Sequence, residues 1–329
     1  MNYRLCFIPL FIASQISAQP ESKSVSPPIA KRIPKEIVAP HGHTRIDPYF
    51  WLSEKENPEV IAHLKAERAY ADAWMADTEK LSETLFGEMK SRIPGRDESP
   101  PYLESDGYWY YDRFDPGKDY KVTCRKKGTL DAPEEIIIDQ NILASDHDYF
   151  SLGEWEVTAD GNTLAMAVDT GGDRIHNIFF KDLTTGELLA DTLINVSENI
   201  VWAADGKTLF YAEMEPDTLR YYRIRSHRLG TKQADDRIVF EEKDPTFSTY
   251  VGITRSDDWI VIASDSTLTS EVQILPADEP AADPVVFEPR RRGHEYMLDH
   301  EGDSFFIMSN DGAKNFRLFK TSTDKTSFA

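Results

Sequence analysis

Apolar residues recur at helical spacing in one part of the chain, near its N-terminal end. Asn57 and Pro58 predict a helix start, because Asn caps helix N-termini and Pro suits the first helical position. A second helix, with Thr78 as its predicted cap, ends near Pro94 and Gly95. The apolar positions are Val60, Ile61, Leu64, Ala71, Trp74 and Met75 on the first helix and Leu81, Leu85, Met89 and Ile93 on the second. Each apolar stripe needs a partner surface.

From Pro100 onward the pattern changes to short alternating or aromatic strands separated by Asp/Gly turns, and no further helix is predicted. A three-residue turn, which we call the Asp/Gly turn, recurs five times before an apolar strand. Its first position is a small residue or His, its second is Asp or Glu, and its third is Gly or Asp. The third turn positions are Gly107, Gly161, Gly206, Asp258 and Gly302, at steps of 54, 45, 52 and 44 residues. Such a period, with several strands in each repeat, is typical of a β-propeller. A β-sandwich with coincidental hairpins is the alternative.

These patterns predict a mainly β fold, an incomplete β-propeller of about five blades preceded by a short α-helical arm. We place a signal peptide at residues 1–18, a disordered leader at 19–32, the helical arm at 33–95 and the partial propeller at 96–329. Arg4, a short apolar run and small residues ending at Ala18 have the layout of a secretory signal peptide. We therefore expect export to the periplasm or the extracellular space. A buried N-terminal strand is the alternative interpretation of this run.

Composition narrows the classes of function. Hydrophobic residues form 40% of the 329 residues, which is enough for a buried core and excludes global disorder. Lys and Arg number 37 and Asp and Glu 57, so the net charge is −20 at pH 7. Such a surface repels phosphate backbones and attracts cations, so we expect no nucleic acid partner. The apolar run near the N-terminus is too short to span a bilayer, and we expect no membrane partner. Cys6 and Cys124 lack metal-binding spacing, and no internal disulfide is expected once Cys6 is cleaved off with the signal peptide.

Catalytic motifs are missing from the sequence. It contains no G-x-S-x-G elbow, G-x-x-x-x-G-K-[ST] loop, G-x-G-x-x-G turn or H-E-x-x-H helix. The sequence therefore assigns no catalytic, cofactor-binding or metal-binding residue, predicts no cofactor and leaves the substrate-binding residues unknown. His294 with Glu295 and His300 resembles a zinc site only superficially, because the second His lies six positions after the first. A packed loop is the preferred interpretation there.

Two other clusters carry candidate chemistry. His41 and His43 with Asp47 form a possible metal cluster, for which hydrogen bonding or ion pairing is the preferred interpretation. Arg290, Arg291 and Arg292 form a basic island in an acidic chain. This island is either a solvated charge run or a contact with carboxylates or another domain.

Strings of residues in order along the chain carry a resemblance to a known family. The string His41-Gly-His-Thr-Arg45-Ile-Asp47-Pro48-Tyr49-Phe-Trp51-Leu52, followed by Glu67 and Tyr70, resembles the N-terminal segment of the prolyl oligopeptidase family of serine peptidases. Later strings are similar to oligopeptidase B. They run from Asp139 to Ala144, His147 to Gly153, Thr218 to Arg220, His227 to Thr231 and Gly293 to Tyr296, with His300, and from Ser309 to Phe316.

The resemblance implies that the helical segment packs against a C-terminal α/β-hydrolase domain, and that a seven-bladed propeller caps the active site. The family's Ser, Asp and His triad and its acidic pocket lie in that domain, so no residue of this sequence matches them. In the full enzyme the serine attacks the peptide carbonyl, the histidine relays the proton and the aspartate orients the histidine. The propeller admits short flexible peptides. Family members of the oligopeptidase B type cleave after Lys or Arg, which the acidic charge fits.

We interpret the chain as the exported N-terminal portion of an oligopeptidase B-like serine endopeptidase that is inactive alone. Two blades and the α/β-hydrolase domain are then missing from the sequence. The expected partners are short basic peptides and that C-terminal domain. A stand-alone exported propeller that acts as a binding module is the alternative. A metal-dependent propeller hydrolase is less favoured, because the recurring Asp residues belong to hairpin turns.

Overall fold

A computed structural model describes residues 25–324. The predicted signal peptide and the first part of the predicted leader lie outside the described residues. The chain forms two compact units, one ending at Pro94 and the other beginning at Gly95. Between residues 25 and 324, no helix is long and apolar enough to cross a membrane.

The N-terminal unit holds a β-hairpin and two helices. Its elements are β1 (Lys35–Val38), β2 (Thr44–Asp47), a 3-10 turn (Phe50–Ser53), α1 (Pro58–Met75), a second 3-10 turn (Ala76–Thr78) and α2 (Glu79–Ser91). Strands β1 and β2 pair antiparallel. Trp51 is buried, and its Nε1 donates to the carbonyl oxygen of Lys31 at 2.9 Å. This bond ties the segment before the hairpin to the 3-10 turn after it.

The two predicted helix caps have different outcomes. Asn57 caps α1 as predicted, since its side chain accepts a hydrogen bond from the Glu59 backbone nitrogen at 2.9 Å. Thr78 precedes α2 at the predicted cap position, but its side chain makes no capping hydrogen bond. Thr78 has helical dihedral angles and its hydroxyl donates to the Met75 carbonyl oxygen at 2.7 Å. The 3-10 turn continues the helical path between α1 and α2, so no extended residue precedes α2 that could cap it.

The apolar stripes of both helices are largely exposed. On α1 only Val60 is buried, and α2 has no buried residue. The exposed apolar side chains are Ile61, Leu64, Trp74, Met75, Leu81, Leu85, Phe86 and Met89, with Ile93 just beyond α2.

The C-terminal unit consists of five antiparallel sheets that follow one another along the chain, as the repeat predicted for a propeller. We call these sheets blades 1 to 5. Blade 1 holds β3 (Asp97–Glu98), β4 (Tyr102–Leu103), β5 (Tyr108–Phe114), β6 (Lys121–Lys127) and β7 (Glu135–Asp139), and a single helical turn, α3 (Gln140–Leu143), follows it. Blade 2 holds β8 (Ser151–Val157), β9 (Thr163–Asp169), β10 (His176–Asp182) and β11 (Leu188–Val196).

The remaining blades repeat this arrangement. Blade 3 holds β12 (Ile200–Trp202), β13 (Thr208–Met214), β14 (Tyr221–Arg228) and β15 (Arg237–Glu241), with a 3-10 turn (Gln233–Asp235) before β15. Blade 4 holds β16 (Ser248–Ile253), β17 (Trp259–Ser266), β18 (Thr269–Pro276) and β19 (Val285–Glu288). Blade 5 has three described strands, β20 (Tyr296–Glu301), β21 (Ser304–Ser309) and β22 (Arg317–Ser322). In blades 2 to 5 each strand pairs with the next strand along the chain.

Helix α3 contradicts the prediction that no helix follows Pro100. Asp139 ends β7 and caps α3, because its side chain accepts a hydrogen bond from the Asn141 backbone nitrogen at 2.9 Å. The helix is a single turn of four residues, which is too short to show helical periodicity in the sequence.

The recurring Asp/Gly turn lies between the first and second strands of blades 2 to 5, and between β4 and β5 of blade 1. In blade 2 the Gly161 nitrogen donates to the Thr158 carbonyl oxygen at 2.7 Å, and Gly161 has a φ of 74°. In blade 4 the equivalent left-handed residue is Asp257, with a φ of 62°, and not Asp258 as the spacing predicted. Asp is one of the few residues other than Gly that adopt this conformation readily.

The hydrophobic core lies between the blades. Each of four apolar clusters draws buried side chains from two neighbouring blades. Representative pairs are Tyr110 with Leu164, Phe180 with Trp202, Phe210 with Ile260, and Phe287 with Phe305. Each blade therefore depends on its neighbours for burial of its faces. Cys124 is a buried free cysteine within blade 1.

Candidate functional site: an acidic axial cavity

The first strands of neighbouring blades lie side by side, with β8 contacting β12 and β12 contacting β16. A Glu154 carboxylate oxygen on β8 accepts hydrogen bonds from the Ile200 backbone nitrogen at 3.1 Å and from Asn199 Nδ2 at 3.3 Å. Asn199 in turn bonds to the backbone of Val251 on β16. Polar side chains thus join the inner strands of three blades.

These inner strands surround a cavity of about 610 Å³, which we call the axial cavity. It lies at the end of the blades that carries the Asp/Gly turns. The lining comes from blades 1 to 4: Tyr102, Glu104, Ser105, Asp106, Tyr110, Gly153, Glu154, Trp155, Glu156, Val157, Thr158, Ala159, Val201, Trp202, Ala203, Ala204, Ile253 and Asp257. A volume of this size suits a small molecule or a short peptide segment rather than a folded domain.

The axial cavity is acidic. Five carboxyl groups line it, from Glu104, Asp106, Glu154, Glu156 and Asp257, and no lining residue in the described chain is Lys, Arg or His. Burial, together with the negative charges of Glu154, Glu104 and Asp257, raises the pKa of Glu156 to about 7. The pKa of Glu104 is raised by burial and by Asp106 and Asp257. A cation entering the cavity would relieve this mutual repulsion.

Aromatic rings form part of the same wall. Tyr110 stacks on Tyr102 with ring centroids 6.0 Å apart and lies 5.8 Å from Trp155. Trp202 donates its Nε1 hydrogen to the Glu156 carbonyl oxygen at 3.2 Å. Ammonium and guanidinium groups are attracted both by aromatic faces and by carboxylates. The charge and the aromatic faces of the lining therefore favour a cation over an anion.

A smaller cavity of about 350 Å³ lies at the opposite end of the inner strands. It shares Glu154 with the axial cavity, and its lining is Glu154, Arg174, Glu198, Asn199, Leu219, Tyr221, Ser248 and Tyr250. Arg174 and Leu219, in the connections between second and third strands, have φ values of 66° and 57°, the left-handed region that is costly for such residues. A Cβ atom at Gly153 would lie 2.6 Å from the Glu198 Cβ, so only glycine allows this approach.

Residues 28–329 match the family model described as "Prolyl oligopeptidase, N-terminal beta-propeller domain". The chain belongs to this family. The predictions of the family and of a propeller fold are thereby confirmed. The chain is 42% identical over 322 residues to Dipeptidyl aminopeptidase BI of Pseudoxanthomonas mexicana, covering 92% of this chain and 44% of that protein. It is 34% identical to Protease 2 of Moraxella lacunata, covering 89% of this chain and 43% of that protein.

Solved structures give the same fold. Oligopeptidase B from Leishmania major superposes with a TM-score of 0.86 at 29% identity, over 93% of this chain and 46% of that chain. Oligopeptidase B from Trypanosoma brucei superposes with a TM-score of 0.84 at 27% identity, over 92% and 45%. The chain thus spans about half the length of the curated relatives that it matches, as the 44% coverage of the Pseudoxanthomonas protein shows.

The histidines considered as metal ligands serve other contacts in this prolyl oligopeptidase-family propeller. His294 is buried and its Nε2 lies 2.9 Å from Ser309 Oγ, while His300 is buried with Nδ1 2.8 Å from Ser256 Oγ. His41 and His43 are exposed. No group of three or more possible metal ligands is found in residues 25–324.

The arginine island contacts carboxylates, one of the two interpretations left open. Arg290 Nη2 lies 2.6 Å from a Glu242 oxygen and 2.8 Å from a Glu271 oxygen, and its guanidinium covers the Phe247 ring. Arg291 pairs with Asp311 at 2.8 Å. Arg290 therefore joins the end of blade 3 to blade 4.

Sequence reasoning missed the acidic cavity. Its carboxylates come from blades 1, 2 and 4, and no local pattern shows that they meet. One signal was available: Glu154 and Glu156 flank Trp155 on β8, so they lie on the same face of that strand. Two acidic residues on one face of an inner propeller strand indicate that this face is negatively charged.

Proposed function

We propose that this chain is the substrate-selecting part of a serine endopeptidase that cleaves short peptides after Lys or Arg. The observation that carries the proposal is the axial cavity, with five carboxyl groups and no basic residue in its described lining. A negative cavity raises the local concentration of peptides that bear Lys or Arg. Its size supports selection of short segments over folded proteins.

Catalysis in this proposal belongs to a C-terminal α/β-hydrolase domain, as the family resemblance implies. The present sequence contains no G-x-S-x-G elbow, so we propose that this chain alone does not hydrolyse peptides. The exposed apolar stripe of α2 supports a partner domain, because Leu81 and Met89 on this stripe are 59% and 60% exposed. Such a stripe is expected to pack against another surface.

A second candidate function is removal of dipeptides, which the name Dipeptidyl aminopeptidase BI states for the 42% identical relative. The smaller cavity favours it, because Glu154 and Glu198 line it together with Arg174. A free peptide amino terminus is a cation that two carboxylates can bind, while the guanidinium can bind a carbonyl oxygen. Endopeptidase action does not require such a terminus.

Peptide binding to the purified chain tests the proposal, with the emission of Trp155 and Trp202 as the signal. The probes are acetyl-Ala-Arg-Arg-Ala-amide, its Glu-Glu counterpart, and the Arg peptide with a free amino terminus. We expect the Arg peptides to bind more tightly than the Glu peptide, with affinity that falls as salt rises. Stronger binding of the free-terminus peptide favours removal of dipeptides as the function. Equal binding of the Arg and Glu peptides would contradict the proposal.

Matched variants locate the binding. Replacing Glu156→Gln together with Asp257→Asn removes two carboxyl groups from the axial cavity, and above pH 7, where Glu156 is largely ionised, we expect the affinity for the Arg peptide to fall about tenfold. Replacing Glu187→Gln together with Asp278→Asn removes two exposed charges elsewhere and should leave the affinity within about twofold. A chain that binds Arg peptides but stays inactive when the hydrolase domain is supplied would instead be a stand-alone binding module.

We also propose that the protein is exported to the periplasm or the extracellular space. The support is the charge, apolar run and small residues of positions 1–18.

A further inference from the structure

A buried histidine in blade 3 lies between two aspartates from different blades. His227 on β14 is 1% exposed in its side chain, and its Nδ1 lies 2.8 Å from Asp236 Oδ1. Its Nε2 lies 3.3 Å from Oδ1 of Asp191, a residue of β11 in blade 2. Both ring nitrogens therefore face carboxylate oxygens, across the junction of two blades.

Proton counting assigns the charge of this ring. A neutral imidazole carries one N–H, and an ionised carboxylate only accepts hydrogen bonds. Both nitrogens of His227 can donate only when the ring is an imidazolium. The two carboxylates are committed as acceptors elsewhere as well, because the Tyr211 hydroxyl donates to Asp236 Oδ2 at 3.0 Å and the Gly230 nitrogen donates to Asp191 Oδ1 at 2.7 Å.

The loop of residues 229–236 in blade 3, which contains Gly230 and Asp236, makes further contacts with the outer strand of blade 2. Gln233 accepts a hydrogen bond from the Ile194 backbone nitrogen at 3.0 Å and donates to the Ile194 carbonyl oxygen at 3.0 Å. The Gln233 carboxamide thus makes with β11 the pair of hydrogen bonds that the backbone of a neighbouring strand would make. A cavity of about 370 Å³, lined in part by Asn195, Arg225 and Gln233, lies beside this contact.

We propose that His227 is a pH-responsive latch between blades 2 and 3: its imidazolium holds β11 against the loop of residues 229–236, and loss of one proton loosens this contact. The neutral ring would place an acceptor lone pair of Nε2 or Nδ1 against a carboxylate oxygen. Where Nε2 carries the lone pair, that repulsion acts on the 3.3 Å contact between Nε2 and Asp191 Oδ1, which joins the two blades.

The remaining groups around the ring do not replace its charge. Phe180 on β10 stacks on it with centroids 5.8 Å apart, and Tyr211 on β13 bonds to Asp236. Arg225 Nη1 donates to the Asp236 carbonyl oxygen at 3.1 Å, and its Nε pairs with Glu213 at 2.6 Å. Arg228 lies on the same strand, is exposed, and is paired with Asp205 at 3.7 Å.

The direction of the pH effect follows from these surroundings. Burial alone would lower the pKa of His227, but the hydrogen bonds and charges of Asp236 and Asp191 raise it above its ordinary value. A group with a raised pKa in the folded state stabilises the fold fully below its unfolded pKa of about 6.5. That stabilisation is lost as pH rises through the folded pKa. The latch is therefore closed in acidic conditions and opens as pH rises through this raised pKa.

Two measurements on the full chain test the latch. Histidine ring resonances followed by NMR give the midpoint of His227, which we expect above about 6.5. Hydrogen exchange, corrected for the intrinsic effect of pH, reports protection in Leu188–Val196. We expect that protection to fall about tenfold between acidic and alkaline conditions, as the imidazolium loses its proton.

Variants separate the latch from general stability. In His227→Gln the pH dependence of protection in Leu188–Val196 should disappear, while in the control His63→Gln it should persist. Asp191→Asn removes one carboxylate from a side chain that is 12% exposed, and it should move the His227 midpoint to lower pH. This variant tests the proposal even if His227→Gln does not fold. A His227 midpoint at or below about 6.5, unchanged pH dependence in His227→Gln, or an unmoved midpoint in Asp191→Asn would each overturn the proposal.

Discussion

Asn199 exchanges two hydrogen bonds with the backbone of Val251, accepting from its nitrogen at 2.8 Å and donating to its carbonyl oxygen at 2.9 Å. Between blades 3 and 4, the Asn199 carboxamide thus makes the pair of hydrogen bonds that the backbone of a neighbouring strand would make. On its other side, Asn199 Nδ2 reaches Glu154 of blade 2 at 3.3 Å. One side chain therefore connects the inner strands of three blades around the axial cavity.

We expect Asn199→Ala to destabilise the propeller by about 2–3 kcal/mol, because the nitrogen and carbonyl groups of Val251 lose their partner at a buried position. Urea unfolding followed by tryptophan emission measures this change. Asn177→Ala is the matched control, since Asn177 accepts only one hydrogen bond, from the Asn195 nitrogen at 3.2 Å. A similar loss in both variants would contradict the bridging role of Asn199.

Glu156→Gln should make stability less dependent on pH. The folded pKa of Glu156 is raised to about 7, so the native state holds an extra proton between about pH 4.5 and 7. The stability of the wild-type chain therefore falls as pH rises through this window. We expect the variant to be more stable than wild type by about 1–2 kcal/mol at pH 7.5 and equal to it near pH 4. Thermal melts at both pH values test this, with Glu187→Gln as the control that should show no such difference.

Local chemistry explains which parts of the fold could be predicted. Asn57 caps α1 and the Asp/Gly turns recur because each depends on a few consecutive residues. Two local predictions failed, the capping hydrogen bond of Thr78 and the position of the blade 4 turn. Thr78 lies in a helical turn between α1 and α2, so it does not have the extended backbone of a cap. In blade 4 the left-handed residue of the turn is Asp257 and not Asp258.

The site could not be predicted in the same way. Glu104, Glu154 and Asp257 meet only because blades 1, 2 and 4 close around one cavity, and nothing in their local sequence sets that distance. The same holds for the side-chain bridges. Asn199 lies 52 residues from Val251, and Gln233 lies 39 residues from Ile194.

Arg290 should be far more important for stability than its neighbour. The side chains of its partners Glu242 and Glu271 are 5% and 14% exposed, so Arg290→Met leaves two nearly buried carboxylates without their cation. We expect a loss of about 3–5 kcal/mol. Arg291→Met removes an exposed pair with Asp311 and should cost about 0–1 kcal/mol. Equal effects in a denaturant titration would show that the buried carboxylates are held by other groups.

Export should remove the first residues of the chain. The small residues before the polar segment place the cleavage after Ala18, so mature protein should begin at Gln19. Mass spectrometry of periplasmic and secreted fractions measures the N-terminus. Replacing Leu10 with Arg interrupts the apolar run and should keep the protein in the cytoplasm. Recovery of cytoplasmic protein alone, with Met1 intact, would contradict export.

The apolar stripe of α2 should bind a hydrophobic partner. Leu85 and Met89 are 46% and 60% exposed, so Leu85→Gln with Met89→Gln should change the unfolding free energy of this chain by less than about 0.5 kcal/mol. The same pair should reduce the binding of a hydrophobic dye and weaken association with a co-expressed C-terminal α/β-hydrolase domain, because each buried side chain contributes about 1.5–3 kcal/mol to such an interface. Lys80→Gln with Glu83→Gln is the control on exposed polar positions of the same helix. A wild-type chain that binds no dye, or a double variant that captures the hydrolase domain as tightly as wild type, would show that α2 is not the docking surface.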